Sequence, residues 1–175
     1  MEKLSTLDAL TNIFNRRYFD DIFVNMVNSA KRKKELFNFL MLDVDYFKDY
    51  NDVYGHQLGD DVLIRISEVL KKTFFRADDA SFRLGGEEFG VIYNTKNESA
   101  AIALADRLRL EIFNLKIENK KSKEHKYISV SLGLVSIDSK EIIERNIVYH
   151  QADKLLYKAK KDGRNKLKYS TSQLH

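Results

Sequence analysis

Two short apolar runs flank the dipeptide Gly85-Gly86, and this pattern indicates a fold that contains a β-hairpin. Residues 80–84 alternate small or polar side chains with apolar ones, and residues 89–93 are mostly aromatic and β-branched. A tight two-residue turn needs positive φ angles, which glycine adopts without steric strain. We therefore predict a hairpin whose turn is Gly85-Gly86.

Two carboxylates, Glu87 and Glu88, directly follow the predicted turn. Successive side chains of a strand point to opposite faces, so the two carboxylates should diverge. A surface hairpin with solvated acids explains this pattern. A metal and phosphate site explains it as well, because glycines let a backbone approach a polyanion and a carboxylate can hold the Mg²⁺ that accompanies a nucleotide. The hairpin alone leaves both interpretations open.

The spacing of apolar residues predicts a mixed order of helices and strands along the rest of the chain. Asn15 is a good N-cap for a first helix, Asn97 or Ser99 for a later one, and Asp60 for a helix that carries apolar residues from Val62 onward. The predicted elements are helices over 16–34, 46–54, 60–70, 97–112 and 147–161, and strands over 36–44, 80–84, 89–93, 127–137 and 166–169. This order favours one α+β sheet with helices on one or both faces.

Length and composition exclude several classes of protein. The 175 residues are most simply one domain, and the absence of cysteine excludes a disulfide framework and a thiolate metal site. No run of about 18 apolar residues is present, so we predict no membrane segment, and the N-terminus lacks a secretion signal. The net charge of +4 makes an anionic partner plausible without requiring nucleic acid.

Asp43 and Asp45 lie two positions apart at the end of an apolar strand, so they share one face of it. Asp43 and Glu87 together would offer two hard oxygen ligands, which suit Mg²⁺ completed by water and phosphate oxygens. For Asp45 alone, strand termination or helix capping explains the position as well as metal binding does.

Polar residues beyond this strand suggest a nucleotide. Lys48 could meet a phosphate as a point charge, although an exposed helix lysine explains it too. Asn51 and Asp60 could read a guanine edge, or either could serve only as a cap. His56, between two glycines, could be a ligand, a base or a turn residue.

Several motifs in one order resemble the GGDEF family of diguanylate cyclases. They are Asp43-Val44-Asp45-Tyr46-Phe47-Lys48-Asp49-Tyr50-Asn51-Asp52, then Gly55-His56-Gln57-Leu58-Gly59-Asp60, then Arg83-Leu84-Gly85-Gly86-Glu87-Glu88-Phe89. Residues 8–11, 15–17 and 152–165 match as well, so the resemblance covers about 7–167. The third position of the family's signature is Glu87 instead of aspartate, which keeps the carboxylate.

The resemblance implies a fold and an activity. The fold is α+β, with a nucleotide-cyclase-like, ferredoxin-like βαββαβ core and a central, mostly antiparallel sheet flanked by helices. Residues 1–175 would form a single GGDEF domain with a core at about 7–167, a linker remnant at 1–6 and a tail at 170–175. The activity is the condensation of two GTP into cyclic di-GMP and pyrophosphate by a homodimer, with Mg²⁺ or Mn²⁺ as cofactor.

The resemblance also assigns roles to individual residues. Asp43, the carbonyl of Val44 and Glu87 match the metal-binding set, and Glu87 and Glu88 match the catalytic proton acceptor and a residue assisting at the metal. The substrate-binding positions are the backbone amides of Tyr46 and Phe47 and the side chains of Lys48, Asn51, His56, Asp60, Lys160 and Arg164. An Arg-x-x-Asp site for inhibition by the product matches Arg76 and Asp79, with Arg107 as a secondary arginine.

The resemblance further implies an upstream sensor or receiver domain and a cytoplasmic location for this domain, and it leaves membrane association of a full-length protein open. One alternative is a catalytically inactive GGDEF domain that acts as a receptor for GTP or cyclic di-GMP. A nucleic-acid binder has only the pI near 9.1 in its favour, so we predict no nucleic-acid partner.

Overall fold

The computed structural model describes residues 4–171, and the chain within this range forms one mixed sheet with helices on both faces. Parts of the predicted linker remnant and tail, residues 1–3 and 172–175, lie outside the described residues. The elements are α1 (Arg16–Lys33), β1 (Leu36–Val44), α2 (Phe47–Tyr54), α3 (His56–Thr73), β2 (Ala80–Arg83), β3 (Glu88–Thr95), α4 (Glu98–Phe113), β4 (Val130–Asp138), α5 (Arg145–Lys161) and β5 (Leu167–Thr171).

The strand order β2-β3-β1-β4-β5 confirms the predicted core. Strand β1 pairs antiparallel with β3 and with β4, and β2 pairs antiparallel with β3. With α2 and α3 after β1 and α4 after β3, these elements give the βαββαβ arrangement. Strand β5 is added at the edge and pairs parallel with β4.

Two apolar clusters fill the space on either side of the sheet. Even-numbered β1 residues such as Leu40 and Leu42 pack with α2, α3 and α4, whereas Phe37, Phe39 and Met41 pack with α1 and α5. Because both faces of β1 are covered, its sequence is almost continuously apolar. Asp43 continues the second series, so it lies on the α1 and α5 side.

Helix starts confirm the cap predictions in two places and correct one. The side chains of Asn15 and Asn97 accept hydrogen bonds from Tyr18 N and Ala100 N, each at 2.9 Å, at the starts of α1 and α4. Asp60, however, does not cap α3. That helix begins at His56, directly after Gly55, whose φ of 89° lets the chain turn from α2 into α3 without a linker.

The hairpin is present, but the predicted two-residue turn is wrong. A loop over 84–87 joins β2 to β3, and neither Gly85 nor Gly86 has a positive φ. Leu84 N and Gly85 N both donate to Glu88 O, at 2.9 and 3.3 Å. Glu87 therefore lies in the loop and only Glu88 in a strand, so the divergence expected of adjacent strand residues does not apply to this pair.

Among residues 4–171, none of the helices combines the length and apolar character that crossing a membrane requires.

Candidate active site

Asp43 is a buried carboxylate at the end of β1. Its side chain is 9% exposed, and Lys160 Nζ on α5 lies 3.0 Å from its Oδ2. Burial raises the pKa of Asp43 to about 6, the adjacent Lys160 ammonium opposes that rise, and the charges of Glu87 and Glu88 add to it. A carboxylate and an ammonium group thus lie together at one end of the sheet.

The hairpin brings its two glutamates to the same place. Glu88 pairs directly with Asp43 across β1 and β3, and Glu87 O accepts a hydrogen bond from Val44 N at 3.2 Å. Opposed residues of an antiparallel pair share a face, so Glu88 lies on the same side as Asp43. Burial, and then the negative charge of Asp153, raise the pKa of Glu88.

An ion pair fixes the hairpin loop from outside. Arg83 donates from Nε and Nη2 to Gly86 O at 3.2 and 2.8 Å, and its Nη1 lies 3.1 Å from Asp8 Oδ2. Asp8 is in turn held by Thr11, whose N and Oγ1 donate to it at 2.9 and 2.7 Å. The sequence did not predict this ion pair, because no local pattern links two positions that lie 75 residues apart.

Asp45 has a structural role that neither sequence interpretation anticipated. Its carboxylate is buried and accepts hydrogen bonds from Ser131 Oγ at 2.6 Å, Ser129 Oγ at 2.7 Å and Asn165 N at 3.1 Å. Three donors satisfy the charge without a metal, since buried carboxylates require such partners. Asp45 thereby joins the end of β1 to β4 and to the turn after α5.

Helix α2 begins with open backbone donors. Tyr46 occupies its N-cap position with a left-handed φ of 54° and offers no side-chain cap. The first amides of an α-helix lack intrahelical acceptors and favour anions. Lys48 is exposed on this first turn, and the Arg164 guanidinium lies over the Tyr46 ring, 4.4 Å from its centroid. Donors and cations suited to phosphate therefore meet beside Asp43.

The predicted guanine-reading residues gather where α2 meets α3. Asn51 Oδ1 is buried and has no hydrogen-bond partner in the described part of the chain. A Cβ at Gly59 would overlap this oxygen, so glycine lets the Asn51 amide lie against α3. His56 and Asp60 are exposed one turn apart on the same helix. An unpartnered buried amide oxygen beside exposed polar groups fits a site that a polar ligand completes.

The predicted inhibitory residues lie at the opposite end of the sheet, near the start of β1. Arg76 and Arg107 line one cavity of about 490 Å³, together with Thr95, Lys96 and Asn97. Arg76 N donates to Asp79 Oδ2 at 3.1 Å, and burial raises the pKa of Asp79. Residues from β3, α4 and the loop after α3 thus form one recess.

The donor set beside the hairpin fits a hard cation shared with phosphate. Within residues 4–171, no group of three or more histidines, cysteines or acids could hold a metal ion by itself. The carboxylates of Asp43 and Glu87 and the carbonyl of Val44 are hard oxygen donors, and Mg²⁺ is usually held by one or two carboxylates with substrate phosphates and water. The residues therefore fit a metal that arrives with a nucleotide.

A family model and several known proteins that resemble this chain all carry the description diguanylate cyclase. The family model described as diguanylate cyclase, GGDEF domain, matches residues 5–166. Diguanylate cyclase A of Treponema denticola is 36% identical over 98% of this chain and 46% of its own length. Diguanylate cyclase DgcS of Shewanella oneidensis is 37% identical over 99% of this chain and 56% of its own length. The chain thus spans about half the length of these relatives.

Solved structures show the same likeness. The GGDEF domain of DgcB from Caulobacter crescentus, solved in complex with c-di-GMP, superposes with a TM-score of 0.82 at 29% identity, covering 97% of this chain and 98% of that one. The active GGEEF domain of a diguanylate cyclase from Vibrio cholerae gives a TM-score of 0.73 at 28% identity, covering 89% and 96%.

Proposed function

The chain belongs to the GGDEF family of diguanylate cyclases, and from this premise we propose that it condenses two GTP into cyclic di-GMP and two pyrophosphates. The observation that carries the proposal is the meeting of Asp43, the Glu87 backbone and Lys160 beside the open N-terminus of α2. Acids for a metal and donors for phosphate are the two requirements of phosphoryl transfer.

We assign the metal to Asp43, the Val44 carbonyl and Glu87. Bound Mg²⁺ or Mn²⁺ would neutralise phosphate charge and lower the pKa of the attacking hydroxyl. Lys160 Nζ lies 3.0 Å from the Asp43 carboxylate and balances its charge. When a triphosphate binds, the same ammonium can turn to a phosphate oxygen, because lysine is a flexible point charge.

The substrate would lie along α2. The amides of Tyr46 and Phe47 and the charges of Lys48, Lys160 and Arg164 would bind the triphosphate. Its guanine would lie near Asn51, His56 and Asp60, where the buried Asn51 Oδ1 has no hydrogen-bond partner among residues 4–171. An unsatisfied acceptor of this kind favours a ligand that donates to it, as a guanine amine does.

Glu87 would accept the proton of the 3′-hydroxyl of one GTP. The 3′-oxygen then bonds to the α-phosphorus of the other GTP, and the bond from that phosphorus to the pyrophosphate oxygen breaks. A second, equivalent step closes the ring and releases a second pyrophosphate. Glu88, opposite Asp43, would assist at the metal.

Each domain would bind one GTP, so two copies must face each other and the reaction needs a homodimer. One chain holds only half of the reacting atoms, and positioning them accounts for much of such a catalysis. We further propose that cyclic di-GMP inhibits the enzyme through Arg76, Asp79 and Arg107, since arginine forks suit phosphates and guanine edges. The shared cavity that Arg76 and Arg107 line supports this proposal.

We propose that residues 1–175 are one GGDEF domain that acts in the cytoplasm, where GTP is available. An upstream sensor or receiver domain would supply its input signal.

Identification of the product by chromatography tests the proposal. Purified protein with GTP and Mg²⁺ should yield cyclic di-GMP and pyrophosphate, and Glu87→Ala should lower the rate at least about a hundredfold, because general-base catalysis alone contributes about that much. Glu68→Ala, which removes an exposed glutamate on α3, is the matched control and should leave the rate unchanged. GTP bound without any product would instead favour a receptor, and an intact rate in Glu87→Ala would refute the assigned chemistry.

A further inference from the structure

The Tyr46 side chain makes contacts that its proposed backbone role does not explain. The guanidinium of Arg164 lies over its ring, 4.4 Å from the centroid, and Arg164 Nη1 donates to the Tyr46 hydroxyl at 3.2 Å. A stacked arginine that also donates a hydrogen bond has few rotamers left. The ring therefore restricts where the Arg164 charge can be.

Glu124 determines the direction of that hydroxyl. Tyr46 donates its phenolic proton to Glu124 Oε2 at 2.5 Å. A hydroxyl has a single proton, so the donation to Glu124 leaves the oxygen lone pairs for Arg164. The hydrogen bond from Tyr46, with the charge of Arg164 as a smaller cause, holds the pKa of Glu124 below its usual value although the carboxylate is exposed.

The backbone that carries Arg164 is fixed from two further sides. His125 Nε2 lies 3.1 Å from Gly163 O, which ties the loop of Glu124 to the turn after α5. On the other side, Asn165 N donates to the buried Asp45 at 3.1 Å. Arg164 itself has a left-handed φ of 60°. Loop, turn and strand end are thus joined around one guanidinium.

We propose that Tyr46 and Glu124 are positioning residues that hold Arg164 ready for the terminal phosphates of GTP. The inference rests on the proposed function, because it takes Arg164 as a triphosphate ligand at the start of α2. Holding the side chain in place before binding removes the entropic cost of ordering it when the nucleotide arrives. Tyr46 contributes through its side chain, separately from its backbone amide.

Titration calorimetry with two nucleotides tests this role. The first is a GTP analogue with a methylene group between the α and β phosphorus atoms, which cannot be turned over, and the second is GMP, both with Mg²⁺. Tyr46→Phe keeps the ring and removes the hydroxyl, and we expect about a fivefold loss of affinity for the analogue, the net size of one ordinary hydrogen bond. Affinity for GMP should not change, because GMP has no terminal phosphates.

A double-mutant cycle separates positioning from general structure. In an Arg164→Ala background, Tyr46→Phe should have no further effect on analogue affinity, because it acts through the missing guanidinium. Glu124→Gln should give a smaller loss in the same direction. Tyr169→Phe, at a tyrosine that is 51% exposed on β5, is the matched control and should bind as the unmodified protein does.

The outcomes distinguish this inference from the function on which it rests. Equal loss for the analogue and GMP, or additive losses in the cycle, would overturn the positioning role. If Tyr46→Phe binds the analogue normally while the unmodified protein makes cyclic di-GMP, the inference fails and the function stands. If the unmodified protein binds the analogue but makes no product, the function fails, and the cycle still decides the role of Tyr46. Absence of analogue binding by the unmodified protein would overturn both.

Discussion

The two ends of the sheet differ in how far their charged side chains are exposed to water. At the end of β1, the side chain of Asp43 is only 9% exposed and lies 3.0 Å from a lysine. At the start of β1, the side chain of Arg107 is 66% exposed, and it lines an open cavity with Arg76. The first end holds a buried carboxylate that depends on a neighbouring ammonium, and the two arginines of the second end remain largely hydrated.

This difference indicates which function each end of the sheet is suited to. Electrostatic stabilisation is strongest where water is excluded and dipoles are already aligned, as chemistry requires. In a hydrated recess, water satisfies the charged groups when no ligand is bound, so the empty recess costs little free energy. Such a recess suits a ligand that must bind and dissociate. Substitutions at the two ends should therefore separate turnover from product binding.

The largest effect should come from Asp43→Asn, which removes a proposed metal ligand without changing the side-chain volume. We expect the initial rate of cyclic di-GMP synthesis to fall about a thousandfold, since several kcal/mol of charge stabilisation depend on the metal. Arg76→Ala, at the hydrated end, should leave the initial rate within about twofold, because it touches only the proposed inhibitory recess. Similar losses of initial rate in both variants would contradict the assignment of different functions to the two ends.

Product binding should show the reverse order. Arg76→Ala should weaken cyclic di-GMP binding to nucleotide-free protein about a hundredfold, because it removes a bidentate, charge-assisted contact. Lys72→Ala, which removes an exposed charge nearby on α3 without lining the cavity, should bind normally. Calorimetry measures both, and a failure of the unmodified protein to bind cyclic di-GMP would remove the proposed inhibitory site.

The free energy of unfolding of the metal-free protein should depend on pH because Asp43 is buried. Because burial raises the pKa of Asp43 from 3.8 to about 6, the folded state favours the protonated carboxyl. Its contribution to stability, about 3 kcal/mol in all, is complete below about pH 4 and is lost as the pH rises through about 6; about 2 kcal/mol of this loss falls between pH 4 and 7. Relative to Asp43→Asn, the unmodified protein should therefore lose free energy of unfolding between pH 4 and 7.

Urea unfolding with EDTA present measures that difference. Asp52→Asn, at an exposed aspartate on α2, is the control and should follow the unmodified protein across the same range. A constant gap between Asp43→Asn and the unmodified protein at pH 4 and 7 would show that the Asp43 carboxylate is not destabilised by burial.

The smallest of these effects concerns the residues that we propose to bind guanine. In Gly59→Ala, the added Cβ would overlap Asn51 Oδ1 and displace that amide. We expect the KM for GTP to rise about tenfold, the value of one well-placed hydrogen bond. Folding should not suffer, because alanine favours a helix interior over glycine by about 1 kcal/mol.

A double variant tests whether Gly59→Ala raises the KM by displacing the Asn51 amide. In an Asn51→Ala background, Gly59→Ala should change the KM no further, because the displaced group is already absent. A full tenfold rise in that background would mean that Gly59 acts on some other part of the site.

Much of the fold could be predicted because its signals are local. Asn15 and Asn97 cap helices as expected, and the apolar run of β1 has the predicted bounds. The predictions that failed depended on competition between neighbouring signals. Gly55 starts α3 before Asp60 can cap it, and Arg83 and Asp8 hold a longer hairpin loop than the two glycines suggested.

The candidate site was less predictable because its contacts join distant parts of the chain. The motifs predicted that Asp43 and Glu87 lie close together, and the hydrogen bond from Val44 N to Glu87 O is consistent with that prediction. No local pattern could show that Asp45 anchors the turn after α5, or that Tyr46 lies under Arg164. Such pairings are determined by sheet order and helix packing.

The anchor at Asp45 also has a consequence for synthesis of the chain. Asn165, which donates to it, is added by the ribosome 120 positions later. Until that residue emerges, the carboxylate at the end of the first strand lacks one of its three donors. A nascent chain therefore holds the end of β1 without its full set of contacts until the turn after α5 has been synthesised.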